Sequence, residues 1–497
     1  MSTAETSLIT SELGWPVPYI PHAISVSMPT WEDNRGFAVG EARVVDALTT
    51  GYPRFMPHES VKLLGGICEE KFGNPGERCI LVSSAKLAEA MRSFLHIHSP
   101  SPVAVRIAHH VLPPPTPDPN HDQVSENQEL CSDQSLELDI VFFPAESFML
   151  AKTCWELSGT GVFSRRADRF PFICTLKLLQ NWGPGCHFFG FGADDDLSEV
   201  RRVAQEAASS GAPITALFCE VPSNPLLRTS NLVELRRIAD EFDFLIVVDD
   251  TVGNFVNVDI MSYSDIVVTS LTKVFSGSLV LNPERRHYTL LRDHLKATYE
   301  QVCWHEDLVR LEVNSRNFAH RIDVMNRNAE AVADWLWSQS EAYDTAHGES
   351  QNSNSKKKVI TKVFFPKWER RENYDACRRQ PASPAVAPLY PSGFGNMLTI
   401  LFSNESAARA FYDNLGCEKG PTIVAEGADV RFAPGTNFTI ACPYTLLSHY
   451  SELDWAAEWG VLVNVVRVSI GMEDKETILG WVKYALEAAE KASGSQL

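Results

Sequence analysis

Two short apolar runs, each ending in polar residues, constrain this chain more than any other feature of its sequence. Residues Phe244–Thr251 read FLIVVDDT, and residues Asp265–Lys273 read DIVVTSLTK. The apolar part of each run is β-branched and almost uncharged, which is typical of strands buried on both faces of a parallel sheet. Ligands of open α/β sheets bind beyond the carboxyl ends of the strands, so we expect Asp249 and Lys273 to project into one crevice.

An aspartate and a lysine at neighbouring strand ends are the pair that a pyridoxal phosphate (PLP) site requires. A lysine amine binds the cofactor aldehyde as a Schiff base, and a carboxylate keeps the pyridine nitrogen protonated so that the ring accepts electrons. Ser270 and Thr272, close to Lys273, are candidate hydroxyl donors to the cofactor phosphate. The alternative is a buried Asp249 that caps the next helix and a Lys273 on the surface. Either residue alone favours that alternative, and the pair favours the PLP site.

Composition excludes several classes of function. The chain has 497 residues, 44% hydrophobic and 22% charged, which indicates a soluble globular protein of two or three domains. A net charge of -19 argues against a nucleic-acid partner, because affinity for phosphate backbones comes mainly from clustered Lys and Arg. No apolar stretch has membrane-spanning length and Met1–Thr6 lacks secretion-signal features, so we expect a cytoplasmic protein without a membrane partner. The 11 scattered cysteines predict neither a metal site nor a disulfide framework.

Hydrophobic periodicity predicts strands that alternate with helices through the middle of the chain. Predicted strands cover residues 79–82, 214–219 and 244–248, and predicted helices cover residues 86–95 and 232–242. Such alternation favours an α/β domain with a mainly parallel sheet and helices on both faces. Further along, predicted strands at 359–365, 397–402 and 461–470 and predicted helices at 314–338, 406–415 and 475–492 indicate a smaller α+β domain.

These patterns divide the chain into three parts. We predict an N-terminal arm over residues 1–75, a cofactor-binding α/β domain over 76–315 and a C-terminal α+β domain over 316–497. Up to about residue 60 the arm is rich in proline and turn residues, and its hydrophobic residues show no strong periodicity. A proline-rich polar segment near 111–136 predicts a loop insertion, and a low-complexity segment near 345–358 predicts a disordered insertion.

Five motifs follow one another from the arm to the C-terminal domain. They are Gly51–Phe55 (GYPRF), Glu220–Leu227 (EVPSNPLL), Val248–Thr251 (VDDT), Ser270–Lys273 (SLTK) and Val466–Asp474 (VRVSIGMED). In this order they resemble the Cys/Met-metabolism family of PLP enzymes, most closely its fungal cystathionine γ-synthase-like branch. The resemblance covers nearly the whole chain. It implies the PLP-dependent transferase type I fold, in which a large α/β domain holds the cofactor and a smaller α+β domain follows.

The cofactor phosphate needs a binding turn. The N-terminus of a helix after a strand offers free backbone N–H groups and the positive end of the helix dipole, and Ser83–Lys86 (SSAK) lies at such a turn. The resemblance places the phosphate loop there and so assigns phosphate binding to Ser84, Ala85 and Lys86. A second candidate is Ser158–Gly161 (SGTG). Ordinary helix capping is the alternative for both turns.

The resemblance assigns roles to four further residues. It implies that Tyr52 and Arg54 reach the cofactor phosphate of a neighbouring subunit, and therefore a homodimer or homotetramer; a surface ion pair in the arm is the alternative. It implies that Asn224 hydrogen-bonds the phenolic oxygen of PLP, although Ser-Asn-Pro is also a good turn sequence. It makes Arg467 the receptor of the substrate α-carboxylate, since a buried guanidinium on an apolar strand is costly without a partner.

The chain departs from the family pattern at three positions. Phe172 stands where a tyrosine stacks on the cofactor ring, so the stacking is kept and the hydroxyl is lost. Gly277–Pro283 follows Lys273 almost at once, where relatives have a longer segment. Ala433–Gly435 replaces a Ser-Leu-Gly near the substrate carboxylate.

The resemblance implies γ-replacement on an O-acyl-homoserine, with cysteine as nucleophile and cystathionine as product, as in methionine biosynthesis. Lys273 would remove the Cα proton while Asp249 keeps the ring nitrogen protonated. The departures leave two alternatives. The chain could be a secondary-metabolism enzyme that adds a carbon or nitrogen nucleophile to the same vinylglycine intermediate, or a catalytically weak paralogue that acts as an assembly partner.

Overall fold

The structure is a computed structural model. It describes residues 12–17, 25–50, 59–82, 84–112, 136–144, 176, 179, 186–270, 278–299, 305–348, 357–380, 392–420 and 438–494. The predicted site residues Tyr52, Arg54, Phe172, Thr272 and Lys273 lie outside these ranges. So do Ser158–Gly161, Ala433–Gly435 and most of both predicted insertions, over residues 113–135 and 349–356.

Helices and strands are distributed along the whole described chain. The strands are β1 Pro16–Val17, β2 Ser25–Val26, β3 Glu77–Val82, β4 Arg106–Leu112, β5 Leu136–Pro144, β6 Ala216–Glu220, β7 Leu245–Asp249, β8 Ile266–Thr269, β9 Ser278–Leu281, β10 Ile360–Phe364, β11 Met397–Phe402, β12 Glu418–Lys419, β13 Ile440–Cys442 and β14 Val465–Ser469. The helices are α1 Trp31–Val39, α2 Ala42–Val45, α3 Glu59–Phe72, α4 Ala85–His98, α5 Asp194–Ser209, α6 Leu232–Phe242, α7 Asn254–Asn257, α8 Tyr288–Thr298, α9 His305–Ser315, α10 Phe318–Ser338, α11 Glu341–His347, α12 Arg371–Cys377, α13 Glu405–Asn414, α14 Tyr444–Ser448, α15 Leu453–Glu458 and α16 Lys475–Gly494. None of the helices in the described ranges combines the length and the apolar character needed to cross a membrane.

The chain forms two compact units. The first contains Met1–Tyr52, Phe163–Tyr299 and Trp304–Leu497, and the second contains Pro53–Val162 and Glu300–Cys303. The division at residues 75/76 and 315/316 stays a prediction from the sequence.

The second unit contains a three-stranded antiparallel sheet in the order β3-β5-β4. Its buried core joins Ile140 and Phe142 of β5 to Cys79 of β3 and Cys68 of α3. Strand–helix alternation favoured parallel neighbours, and these three strands differ from that expectation. Antiparallel partners can be joined by a direct connection, whereas parallel strands need a crossover.

The first unit contains a four-stranded sheet in the order β6-β7-β8-β9. β6, β7 and β8 are parallel, as predicted, and β9 pairs with β8 antiparallel. The register places Glu220 beside Asp249 and Asp249 beside Val268. Helix α6 begins where the side chain of Asn231 accepts from the backbone N–H of Glu234 at 3.1 Å. The sheet therefore brings the carboxyl ends of its parallel strands to one edge.

The same unit contains a mixed sheet in the order β10-β11-β14-β13-β12. In this sheet Arg467 of β14 lies between Thr399 of β11 and Cys442 of β13. All three side chains are buried. The central position of β14 explains why a charged residue there cannot reach water.

Helix α1, in the predicted arm, packs on the C-terminal part of the chain. Thr30 and Asp33 form a capping box that starts the helix. Trp31 is 1% exposed, and its backbone N–H donates to Oδ1 of Asp413 at 2.7 Å. The hydroxyl of Tyr412 accepts from Nδ2 of Asn34 at 3.0 Å. The sequence predicted little regular structure before about residue 60, and the structure differs because this box and the buried tryptophan stabilise a helix.

Candidate active site

Asp249 presents a carboxylate at the carboxyl edge of the parallel strands. It is the last residue of β7 and is half-buried. Its Oδ1 accepts from the backbone N–H of Thr251 at 2.9 Å, which fixes the orientation of the side chain. Among the residues that the structure describes, no cation pairs with Asp249. One carboxylate oxygen is thus available for a protonated ring nitrogen.

Ser270 lies at the same edge. It follows β8 directly, and its backbone N–H donates to Oγ1 of Thr251 at 2.7 Å. Thr251 therefore connects the end of β7 to the end of β8. Lys273 comes three residues later, outside the described ranges, so its role stays a prediction, and the roles of Ser270 and Thr272 do as well.

Asp250 faces the interior and has a different environment from Asp249. It is 1% exposed, and the hydroxyl of Thr269 donates to its Oδ1. Burial raises the pKa of Asp250 to about 7; the Thr269 hydrogen bond opposes this rise, and the neighbouring charge of Asp249 adds to it. Of the two adjacent aspartates, only Asp249 is placed to meet a ligand as a carboxylate.

Asp250→Asn should remove a pH dependence of stability. Because folding raises the pKa of this carboxyl, the folded state holds the proton more tightly, so stability due to Asp250 is present at low pH and is lost as pH rises towards 7. In the variant, the slope of the unfolding free energy against pH should become less negative by up to about 1.4 kcal/mol per pH unit between roughly pH 4 and pH 7. Urea unfolding across that window measures the slope. Equal slopes in both proteins would show that Asp250 takes up no proton on folding.

Asn224 and Arg467, predicted separately, are in contact. Asn224 lies in the loop after β6, and its backbone N–H donates to Oε2 of Glu220 at 3.0 Å. Nη1 of Arg467 donates to Oδ1 of Asn224 at 3.1 Å. Arg467 is 4% exposed, and in the described part of the chain no carboxylate forms an ion pair with it. A buried cation without a counter-ion is costly, so this site is suited to a ligand that brings a negative charge.

The C-terminal sheet holds the loop that carries Asn224. Oγ1 of Thr399 donates to the carbonyl oxygen of Pro225 at 2.7 Å. Thr399 is fully buried and lies directly opposite Arg467 in the β11–β14 register. The same pair of strands therefore positions both the loop and the guanidinium.

Tyr444 completes this cluster and was missed by sequence reasoning. Its hydroxyl accepts from Nδ2 of Asn224 at 3.3 Å, and Cζ of Arg467 lies 4.7 Å from the centre of its ring. Tyr444 is 3% exposed. The only signal in the sequence is an aromatic residue after the Cys-Pro pair that ends β13, which does not distinguish a site residue from a core residue.

The predicted phosphate turn has the expected local structure. β3 is followed by α4, and the side chain of Ser84 accepts from the backbone N–H of Leu87 at 3.2 Å, so Ser84 is the helix N-cap. Ala85 and Lys86 are exposed in the first turn, where backbone N–H groups have no partner within the helix. Capping therefore occurs here, and phosphate binding by Ser84, Ala85 and Lys86 stays a prediction.

The side chains of the first unit fit PLP and an amino-acid substrate. Asp249 offers the carboxylate that a pyridinium nitrogen needs, and Arg467 offers the cation that an α-carboxylate needs. Asn224 contacts Arg467 and has a second amide hydrogen to donate. Within the described ranges, no group of three or more His, Cys, Asp or Glu side chains is arranged to hold a metal ion.

Comparison with known proteins identifies the family. The model of the fungal trans-sulfuration enzyme N-terminal domain matches residues 60–162. The cystathionine gamma-synthase-like enzymes iboG2 and iboG1 of Amanita muscaria are 33% and 35% identical to this chain, over 97% and 96% of it and 97% and 98% of their own lengths. Cystathionine gamma-synthase of Saccharomyces cerevisiae is 25% identical over 95% of this chain and 98% of its own. Enzymes of this family depend on PLP and have the type I transferase fold. The chain therefore belongs to the fungal cystathionine γ-synthase-like family of PLP-dependent trans-sulfuration enzymes.

Proposed function

We propose that this protein catalyses γ-replacement on an O-acyl-homoserine, with cysteine as nucleophile and cystathionine as product. The observation that carries the proposal is the buried guanidinium of Arg467, which has no counter-ion in the described part of the chain and is hydrogen-bonded to Asn224. An α-amino acid supplies the missing negative charge through its α-carboxylate. The S. cerevisiae relative, named cystathionine gamma-synthase, supports the substrate class.

We assign a separate role in the reaction to each of three residues of the chain. Bound PLP supplies an electron sink for the charge that develops at Cα of the substrate. Asp249 holds the proton on the pyridine nitrogen, because its free carboxylate oxygen is an acceptor for that N–H. We assign the removal of the Cα proton to Nζ of Lys273, and the orientation of the substrate through its carboxylate to Arg467.

Burial strengthens the recognition of the carboxylate. Arg467 and Tyr444 are both almost fully inaccessible to solvent. A charge pair at this depth is screened far less than one at the surface, so the pair orients the substrate firmly. An amino acid without a free α-carboxylate would leave the cation unpaired and should bind poorly.

A second candidate function is replacement at the same Cγ with a carbon or nitrogen nucleophile in secondary metabolism. Two observations favour it. The relatives that match over nearly their whole length include the Amanita muscaria enzymes named cystathionine gamma-synthase-like, at 33–35% identity, and the cystathionine gamma-synthase-like protein ankD of Aspergillus thermomutatus, at 29%. Phe172 also removes a hydroxyl that the family pattern places at the cofactor, which affects proton delivery to the leaving group.

One experiment separates the two candidates. Purified PLP-loaded protein is incubated with O-acetyl- or O-succinyl-L-homoserine and with cysteine, a carbon nucleophile or a nitrogen nucleophile, and products are read by mass spectrometry. The first proposal predicts cystathionine from cysteine and one of the esters. A product with another nucleophile, and none with cysteine, supports the second candidate. If neither ester is consumed, both candidates are wrong and the assembly-partner alternative remains.

Lys273 should carry the cofactor. Lys273 follows β8 in the sequence as the last residue of the Ser270–Lys273 motif, and Ser270, the first residue of that motif, lies at the edge where Asp249 lies. Borohydride reduction of the PLP-loaded protein and peptide mapping should place the pyridoxyl label on Lys273. Lys86→Ala is the control, because it alters a predicted phosphate contact and should leave the position of the label unchanged. A label on any other lysine contradicts the assignment.

A further inference from the structure

Tyr444 contacts both Asn224 and Arg467, the proposed receptor of the substrate carboxylate. Its ring lies against the guanidinium of Arg467, 4.7 Å from centroid to Cζ, within the range of a cation–π contact. Its hydroxyl oxygen accepts from Nδ2 of Asn224 at 3.3 Å. The three side chains form a closed cluster, since Arg467 also donates to Asn224.

The cluster fixes which way the Asn224 amide faces. Arginine only donates hydrogen bonds, so the amide oxygen must face Arg467. The amide nitrogen then faces Tyr444, whose hydroxyl provides the acceptor for one of its two hydrogens. Without that hydroxyl, a buried N–H would lose its acceptor, and the hydrogen bond from Arg467 would be left to hold the amide.

Tyr444 holds Arg467 without neutralising it. Burial raises the pKa of the phenol, while the Arg467 charge opposes the rise, so the side chain stays neutral. A carboxylate in the same position would satisfy the guanidinium and compete with a substrate. The aromatic ring lies 4.7 Å from Cζ of Arg467 and brings no negative charge, so the guanidinium keeps its full charge for a carboxylate.

We propose that Tyr444 is a positioning residue that determines selectivity for the substrate α-carboxylate, by holding the Arg467 guanidinium and the Asn224 amide together. The inference rests on the proposed function, because it takes Arg467 as the carboxylate receptor. It adds a residue to which the family resemblance assigned no role.

The test measures selectivity and not turnover. Norvaline has an α-amino acid backbone and no leaving group, and norvalinamide differs from it only in the neutral amide that replaces the carboxylate. Binding of each to the PLP-loaded full chain is followed by the change in the visible absorption of the cofactor. Wild-type protein should prefer norvaline, and Tyr444→Leu should reduce the preference about tenfold, because the contact of the aromatic ring with the guanidinium is lost.

Tyr444→Phe separates the ring from the hydroxyl. The phenyl ring keeps its contact with Arg467, so the preference for norvaline should stay within about threefold of wild type. The hydroxyl that anchors Asn224 is lost, so the pH midpoint of the visible cofactor band should move in the same direction as in Asn224→Ala. If Tyr444→Leu does not fold, this shift in the pH midpoint of Tyr444→Phe is by itself the test of the proposal.

Tyr412 provides a matched control. It is also fully buried, its hydroxyl accepts from Nδ2 of Asn34 at 3.0 Å, and Nζ of Lys419 lies 5.3 Å from its ring centre. It packs against α1 and is not part of the Arg467 cluster. Tyr412→Leu should lower the melting temperature and leave the norvaline preference unchanged.

The outcomes separate this inference from the function on which it rests. If Tyr444→Leu weakens norvaline and norvalinamide equally, or weakens neither, the inference is wrong. Arg467→Ala is measured alongside. If Arg467→Ala keeps the norvaline preference, the carboxylate receptor of the proposed function is wrong. If Arg467→Ala loses the preference and Tyr444→Leu retains it, only the role of Tyr444 fails.

Discussion

Asp249→Ala should lower turnover by a factor on the order of a hundred or more and weaken PLP binding. The reason is electrostatic: the half-buried carboxylate has one oxygen fixed by Thr251 and no cationic partner among the described residues, so its charge is available to a pyridinium nitrogen. Steady-state kinetics with the productive ester gives the loss in kcat. Titration of cofactor-free protein with PLP gives the loss in affinity.

The adjacent Asp250 provides the control for Asp249. Asp250→Asn removes a neighbouring carboxyl whose side chain is buried and accepts from Thr269. Turnover of that variant should remain within a few-fold of wild type at neutral pH, because Asp250 does not face the ligand. The opposite result, with Asp249→Ala active and Asp250→Asn inactive, would assign the ring nitrogen to Asp250.

Arg467→Met should lower kcat/KM by about a hundredfold to a thousandfold and at the same time make the protein more stable. Activity should fall because the variant removes the buried cation that we propose as the receptor of the substrate carboxylate. Stability should rise by roughly 1–2 kcal/mol, because an apolar side chain of similar length replaces a buried cation that has no ionic partner. Kinetics across ester concentrations and thermal unfolding without substrate measure the two effects.

Arg236 distinguishes a substrate receptor from a structural arginine. Arg236 is also buried, but its Nη1 donates to Oδ2 of Asp265 at 2.7 Å. Arg236→Met should therefore destabilise the protein, because Asp265 would be left as an uncompensated buried charge, and KM for the ester should not change. If Arg467→Met is instead destabilising and retains kcat/KM, Arg467 is structural and the carboxylate role is wrong.

The elements with strong local signals were predictable from the sequence. Helix α6 has the predicted bounds, Leu232–Phe242, because its apolar period and the Asn231 cap are both local. Strand β11 also has the predicted bounds, Met397–Phe402. In both cases the signal lies within the element and its cap, so tertiary contacts are not needed to find it.

The arm and the antiparallel sheet were less predictable. The Thr30 and Asp33 capping box is a local signal for α1, but a nine-residue helix is marginal without its packing against Asp413 and Tyr412. Those partners lie in the C-terminal part of the chain. The direction of β5 relative to β3 and β4 depends on pairing, which periodicity does not reveal.

The same distinction between local signals and long-range contacts holds for the candidate site. Asp249, Asn224 and Arg467 were found because each belongs to a recognisable motif, yet the contact between Asn224 and Arg467 was not predicted. That hydrogen bond joins residues 243 positions apart, and the one from Asn224 to Tyr444 joins residues 220 positions apart. Tyr444 has no motif of its own, so only its contacts distinguish it from an ordinary core aromatic.

Because the hydrogen bond from Arg467 to Asn224 joins distant parts of the sequence, it can form only late in the synthesis of the chain. Lys273, Asp249 and every other residue proposed to contact the cofactor precede Arg467, which follows Lys273 by 194 residues. At about 5–20 residues per second, translation adds the arginine on the order of ten seconds or more after the lysine. A nascent chain therefore contains the proposed cofactor contacts well before it contains the residue proposed to recognise the substrate.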